Sequence, residues 1–301
     1  MAPRRVLVTG AGGFVGRHLV RRLLSEGAEV YCILKSGSPD EPVPDGFDGA
    51  TCLWYDGTTD KVFEIVRTSR PDTVFHLASL FRAQHSTEEV EPLILSNVLF
   101  GTQILEALAR LGQPSVGFVN IGTSWQHFDD ADYDPVCLYA ATKQAFMDVM
   151  RYYINAEGLK ATTLSFFDTY GSDDPRPKLF GLLRSASEGE DPLAMSPGQQ
   201  ILDLVHIDDI LEALVTAERL LGEGEIGRGE EFAISSGRRL TLREVAKIYE
   251  AATGRVLKIE WGGRPYRARE VMIPWQSGAM LPGWKATVAL EDGLRSLEES
   301  T

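Results

Sequence analysis

The sequence predicts an α/β fold: a doubly wound parallel sheet with a smaller, partly discontinuous C-terminal domain. Three observations lead there. Short Val/Ile/Leu-rich segments alternate with longer amphipathic ones through residues 5 to 166, the pattern of a parallel sheet with helices on both faces. The first such segment runs directly into a glycine-rich turn, Thr9-Gly-Ala-Gly-Gly-Phe-Val-Gly16. After Phe167 the alternation breaks down.

In chain order, strands are expected at 6–9, 29–34, 51–55, 73–77, 115–121 and 161–166, where β-branched and aromatic residues cluster between turn-forming residues. Helices fill the intervals, among them a long one around 96–111. Segment 35–48 is rich in Ser, Pro, Gly and Asp and reads as a loop. Beyond Phe167, residues 171–178 read as a second loop and 179–188 as a helix. A strand at 203–205 and a helix at 208–221 are expected to return to the first domain. From Gly229 short strands alternate with a helix at 241–253. The expected division is a dinucleotide-binding domain at 1–170 plus about 203–222, and a substrate domain at 171–202 and 223–301, with the substrate cleft between them.

Composition excludes several functions. A chain of 301 residues, 44% hydrophobic and 24% charged, can bury a sizeable core. A net charge of -13 argues against nucleic acid, whose phosphates need a basic surface. Cys32, Cys52 and Cys137 form no Cys-x-x-Cys pair, and the histidines at 18, 76, 85, 127 and 206 lack ligand spacing, so no metal and no disulfide framework is expected. The apolar stretch after Arg4 and Arg5 is too short for a signal peptide, and no run approaches the ~18 apolar residues of a membrane span. A cytoplasmic protein with no membrane partner is expected.

The glycine-rich turn is the first chemical signal. Gly10 permits a tight turn, Gly13 lets a pyrophosphate approach the backbone, and Gly16 allows helix to pack closely on strand, while Phe14 and Val15 open a helix whose free N–H groups face the anion. About 20 residues on, an acidic residue at the second strand's end would hold the ribose 2'-hydroxyl of NAD. Lys35 stands there, with the Ser36 and Ser38 hydroxyls beside it. That suits a 2'-phosphate, so NADPH (NADP) is expected, with NAD as the alternative. Tyr139 and Lys143 are the second signal. Four residues apart, they share one helical face. A phenol that holds its proton up to pH about 10 needs a nearby cation to serve in proton transfer near neutrality, and Lys143 is a candidate for that cation.

With Thr9-Gly-x-x-Gly-x-x-Gly16 and Tyr139-x-x-x-Lys143, and with Phe75-His-Leu-Ala-Ser79 and Asp203-Leu-Val-His-Ile-Asp-Asp209, the chain resembles the extended short-chain dehydrogenase/reductase family, in its branch acting on nucleotide sugars. The likeness covers nearly the whole chain and implies a Rossmann-like fold. Within the branch, Asn120-Ile-Gly-Thr-Ser-Trp-Gln-His127, Leu138-Tyr-Ala-Ala-Thr-Lys-Gln-Ala-Phe146, Phe167-Asp-Thr-Tyr-Gly171 and Arg264-Pro-Tyr-Arg-Ala-Arg-Glu-Val-Met272 are similar to the CDP-abequose and CDP-paratose synthase group of 4-ketoreductases.

The resemblance implies a catalytic Thr123, Tyr139 and Lys143, with Ser124 as the neighbouring alternative hydroxyl. It places Asp56 and Gly57 at the adenine and Leu77, Ala78, Ser79 and Asn97 along the cofactor, in company with Tyr139 and Lys143. Ser124 and Trp125 fall at the substrate. Lys178, Arg176, Arg267 and Arg269 are candidates for the substrate diphosphate, which suits planar guanidinium groups. The implied activity is NADPH-dependent reduction of the 4-keto group of a CDP- or dTDP-linked deoxyhexose. An NAD-dependent nucleotide-sugar epimerase and a non-catalytic dinucleotide-sensing protein are the alternatives. The sugar 4,6-dehydratases of the branch carry an Asp-Glu pair where this chain has Ser124 and Trp125, so elimination of water is not expected. The interval from Thr123 to Tyr139 is also shorter than is usual for the branch, which leaves the choice between the two hydroxyls open. Family likeness further implies a homodimer, formed through the Tyr139 helix and the long helix before it.

Overall fold

The computed structural model describes residues 3–35, 44–174, 176 and 178–299. Its first half alternates as expected: β1 (Arg5–Thr9), α1 (Phe14–Ser25), β2 (Glu29–Lys35), β3 (Thr51–Tyr55), α2 (Thr59–Ser69) and β4 (Thr73–His76). A helical stretch follows as α3 (Val90–Ile94), a π turn over Leu95–Leu99 and α4 (Phe100–Arg110). Then come β5 (Gly117–Thr123), α5 (Leu138–Glu157), β6 (Lys160–Phe166), β7 (Asp168–Tyr170), α6 (Leu179–Glu188), β8 (Leu193–Met195), β9 (Ile201–His206) and α7 (Ile207–Glu223). The chain closes with β10 (Arg228–Ile234), β11 (Arg239–Thr241), α8 (Leu242–Thr253), β12 (Ile259–Trp261) and α9 (Leu290–Glu299).

Local chemistry sets these limits. α8 opens on a capping box in which the Thr241 side chain and the Glu244 side chain each bond the other's backbone N–H. α5 ends at Gly158 and α7 at Gly224, both left-handed, which a Cβ would oppose. Asp208 and Asp209 lie in the first turn of α7, where the helix dipole favours negative charge.

Seven parallel strands run in the order β10-β6-β5-β4-β1-β2-β3. Every residue of β5 is buried, as befits a central strand covered on both faces. One face packs on α1 and α7 through Leu19, Leu23, Ile210 and Leu214. The other packs on α2, α4 and α5 through Val62, Ile104, Phe118 and Phe146. A third, smaller cluster holds Tyr170, Leu183, Tyr249, Leu290 and Leu294 together, beside a three-stranded sheet β11-β9-β7 and a two-stranded sheet β12-β8.

Four expectations need correction. Arg228–Ile234 was assigned with the substrate domain, yet it pairs in parallel with β6 as the edge strand of the large sheet. The strand expected to return to the first domain, β9, pairs instead with β7 and β11, and only its following helix packs back on the first domain's sheet and α1. The strand expected at 115–121 begins two residues later and extends to Thr123, because Pro114 and Ser115 belong to the preceding turn. Helix α9 was not foreseen.

Among the described residues, Thr87–Arg110 is long and apolar enough to cross a membrane by length and composition. Half of its most apolar window is buried in the fold, where α4 packs on α2 and α5.

Candidate active site

In a doubly wound sheet, ligands bind at the carboxyl ends of the strands where the strand order reverses. Here that point lies between β1 and β4, which run on from neighbouring positions in opposite directions across the sheet. The Thr9 hydroxyl ties the two ends together: it accepts from the Ala78 N–H at 3.0 Å and shares a hydrogen bond with Nδ1 of His76 at 3.0 Å. Burial holds His76 neutral, its pKa lowered to about 3. The histidine is thus a structural one.

The glycine turn fits a pyrophosphate. Gly10 has φ +65°, and a Cβ there would come within 2.6 Å of the Ala78 nitrogen. A Cβ on Gly16 would fall 2.2 Å from the Gly10 carbonyl oxygen. Gly13 caps α1 without any side chain, and no acidic residue occupies the first turn, so the leading N–H groups of Phe14, Val15 and Gly16 remain for an anion. Gly10, Gly13, Phe14, Val15 and Gly16 all line one cleft of ≈1330 Å³. Its volume exceeds that of an ordinary single-ligand pocket, about 300–1,000 Å³, and leaves room for a dinucleotide and a second molecule.

Thr123, Ser124, Trp125, Tyr139 and Lys143 line the same cleft. Thr123 is the last residue of β5, and Tyr139 is the second residue of α5. The Ser79 and Thr123 hydroxyls lie close enough to the phenol to favour its ionised form. Lys143 is 2% exposed, with its ammonium 6.0 Å from the centre of the Tyr139 ring. Burial dominates both groups: it pushes the Tyr139 phenol up to about 12 and Lys143 down to about 8. Against burial, the phenol is lowered by the Ser79 hydroxyl, the Arg176 charge and the Thr123 hydroxyl. Tyr139 is therefore protonated at neutral pH in the unliganded protein, and Lys143 does not bring it to phenolate. Thr123 also caps the short turn Ser124–Gln126, accepting from the Trp125 N–H while its own N–H bonds the Gln126 side chain. The turn-capping role and the position facing the phenol thus fall on the same threonine, with Ser124 beside it.

The remaining expected residues divide. Leu77 and Ser79 line the cleft, whereas Ala78 and Asn97 are not in its lining. Asn97 braces instead: its carbonyl accepts from the Leu80 N–H at 2.7 Å, and its amide donates to the Leu80 carbonyl and the Thr142 hydroxyl. Lys35 ends β2 beside Tyr55 of β3, so Lys35, Asp56 and Gly57 gather at one corner of the sheet, outside the cleft lining. The Asp56 carboxylate bonds the Thr58 N–H and hydroxyl. Ser36 and Ser38 lie outside the described residues.

The four cations expected at a diphosphate all line the cleft, but each has a carboxylate. Arg176 pairs with Asp174 at 2.6 Å and lies over the Phe14 ring, which puts it on the side of the glycine turn. Arg267 pairs with Glu270 at 3.1 Å, and Arg269 with Asp134 at 2.6 Å. Lys178 has the Asp168 carboxylate as its leading counter-charge; desolvation moves the amine down and the carboxyl up, although Asp168 itself is exposed at the surface. Sequence reasoning assigned Asp168 no role. Among the described residues, no cluster of His, Cys, Asp or Glu could hold a metal ion.

Behind the candidate site, His127 was taken as structural by default, and the structure gives it a definite task. Its Nδ1 faces the Asp132 and Ala131 carbonyls at 2.8 and 3.2 Å, and its Nε2 faces the Glu231 carboxylate at 3.2 Å. The Trp275 ring stacks on it at 3.8 Å. Both ring nitrogens face acceptors, so the imidazolium satisfies the site best. Burial opposes that charge, but the Glu231 bond and charge with the two carbonyls prevail, and the pKa is raised. A raised folded-state pKa gives stabilisation that is complete below the unfolded value, about 6.5, and is lost as pH rises through the folded value. Urea midpoints are therefore expected to fall as pH climbs above about 6.5, with a shallower fall in Glu231→Gln. An identical slope in that variant would remove the ion pair from the account.

The family model for the NAD dependent epimerase/dehydratase family matches residues 6–230. The chain belongs to this family, the extended short-chain dehydrogenases/reductases. It is 25% identical to a CDP-abequose synthase of Yersinia pseudotuberculosis over 90% of this chain and 91% of that protein. It is 26% identical to a UDP-glucose 4-epimerase of Mycolicibacterium smegmatis over 98% and 97%. Among solved structures, the UDP-glucose 4-epimerase of Thermotoga maritima with UDP-glucose superposes with a TM-score of 0.80 at 23% identity, covering 98% of this chain and 97% of that one. That likeness supports the fold.

Proposed function

We propose that the chain is a cytoplasmic NADPH-dependent reductase of the 4-keto group of a CDP- or dTDP-linked deoxyhexose. The observation carrying this choice is Lys35, the terminal residue of β2. An enzyme that retains NAD through an epimerisation is served by a carboxylate at that place, whereas a cation is matched to a 2'-phosphate. A nucleotide-sugar substrate is supported by the relatives, one named for a CDP sugar and one for a UDP sugar.

The bound cofactor would supply hydride to the carbonyl carbon, held by the glycine turn and the first turn of α1. The chain's own groups do the rest. The Thr123 and Tyr139 side chains line one cleft, and the Thr123 hydroxyl favours the ionised phenol, so a substrate carbonyl oxygen placed between them accepts from both. Tyr139 starts protonated and donates its proton as negative charge develops on that oxygen. Lys143, desolvated beside the ring, stabilises the phenolate that remains. The Asn97 brace fixes the Ser79 loop against α5, accepting from the Ser79 hydroxyl at 3.3 Å and donating to the Thr142 hydroxyl.

Incubation with NADPH and a panel of CDP- and dTDP-4-keto-deoxyhexoses is expected to oxidise the cofactor stoichiometrically with sugar reduction. A protein that purifies with tightly bound NAD and consumes no NADPH would instead be an epimerase. The same reading includes a homodimer. Val90, Ile94, Leu95 and Leu99 are 39–46% exposed along the helical stretch before β5, and Tyr152 of α5 is 55% exposed. A second copy is expected to cover this apolar face. Light scattering that returns only monomer at micromolar concentration would remove it.

A further inference from the structure

The candidate proton donor belongs to a row of aromatic side chains. The Phe81 ring meets the Tyr139 ring edge-on, 5.0 Å between centroids, and the Trp125 ring lies 5.5 Å from it at a tilt. Beyond Trp125, the Arg267 guanidinium sits 5.7 Å over that ring. All four line the cleft, so the row runs from the phenol to a candidate diphosphate cation. Phe81 is 47% exposed, and the loop carrying it is pinned through the Leu80 backbone to Asn97. A large apolar ring is thus held out of the core and presented to the cleft.

This arrangement has a chemical consequence. A sugar whose carbonyl oxygen rests on Tyr139 and Thr123, and whose diphosphate reaches toward Arg267, must lie with one side against the Phe81 and Trp125 rings. Aromatic faces favour C–H surface and give a hydroxyl at most a weak O–H···π contact. A hydroxyl turned against them exchanges its water for a much poorer partner.

We propose that Phe81 and Trp125 are specificity-determining residues: a stacking wall that favours a keto sugar whose carbons flanking the carbonyl carry hydrogen or methyl over one that carries hydroxyl there. This rests on the reductase reading above and adds the residues that set its choice of sugar. Discrimination of roughly tenfold or more per hydroxyl is expected from an apolar wall of this kind.

The test compares kcat/KM for a 4-keto-3,6-dideoxyhexose and a 4-keto-6-deoxyhexose on the same nucleotide, in wild type, Phe81→Ser and Phe81→Leu. Wild type is expected to favour the first by about tenfold or more. Phe81→Ser should erase that ratio mainly through KM, Phe81→Leu should keep most of it, and both should bind NADPH as wild type does. A wild-type enzyme reducing both sugars equally, or a ratio unmoved in Phe81→Ser, would overturn the wall while leaving the reductase reading in place. No NADPH oxidation with either sugar would remove the reductase reading and the wall with it.

Discussion

In Tyr139→Phe, turnover is expected to fall by roughly 10²–10⁴-fold, the usual worth of a positioned general acid, with dinucleotide affinity nearly unchanged. The substitution removes one oxygen, the one that the Ser79 and Thr123 hydroxyls influence. Nothing in the glycine turn depends on it. The ring itself keeps its edge contact with Phe81, so the wall of the cleft is preserved. Because Tyr139 is the protonated partner at neutral pH, with its pKa pushed up to about 12, its loss removes the proton source and leaves Thr123 alone to hold the oxyanion. Stopped-flow measurement of NADPH oxidation alongside fluorescence titration of NADPH separates the two effects. Unchanged turnover would take Tyr139 out of the chemistry.

The second large effect is expected at Gly16. A Cβ there would lie 2.2 Å from the Gly10 oxygen and 2.7 Å from the Ala11 Cα and carbonyl oxygen. These are backbone atoms, with no flexible end to yield, so either the turn or the helix must shift. Gly16→Ala is expected to cost about 3 kcal/mol of stability, the upper range for an overpacked site, and to abolish dinucleotide binding by displacing the N–H groups of α1. Gly12→Ala provides the contrast. Its Cβ would meet nothing within 4 Å, so its urea midpoint should stay close to wild type. Equal midpoints for the two variants would show that close packing at Gly16 is not what fixes the turn.

What could be read from the sequence was what lies close together along the chain. The glycine turn is a single stretch between β1 and α1, and Tyr139 and Lys143 share one helical face, so spacing alone exposed them. The first six strands were legible because each is an apolar run between turn residues. Contacts made across long separations were hidden. Arg228–Ile234 is the edge strand of the large sheet, and its partners in β6 lie almost seventy residues earlier, with the β7–β9 excursion between them. Phe81 sits in a loop with no periodicity, and only the fold sets it against Tyr139 and Trp125. The charges of Arg269 and Asp134 cancel across 135 positions, so counting cations in the sequence overstated the positive charge free to meet a diphosphate. The Lys143–Tyr139 spacing was right as geometry, but the sign of the shift on the phenol depends on burial, which only the structure gives.

Transfer of label tests the central claim most directly. The protein is mixed with NADPH carrying deuterium at the hydride position and a CDP- or dTDP-4-keto-deoxyhexose, and the product is examined by mass spectrometry and NMR. The account predicts one deuterium at C4 of the sugar for each NADPH consumed. Sugar converted without deuterium at C4, with no NADPH oxidised, would contradict it.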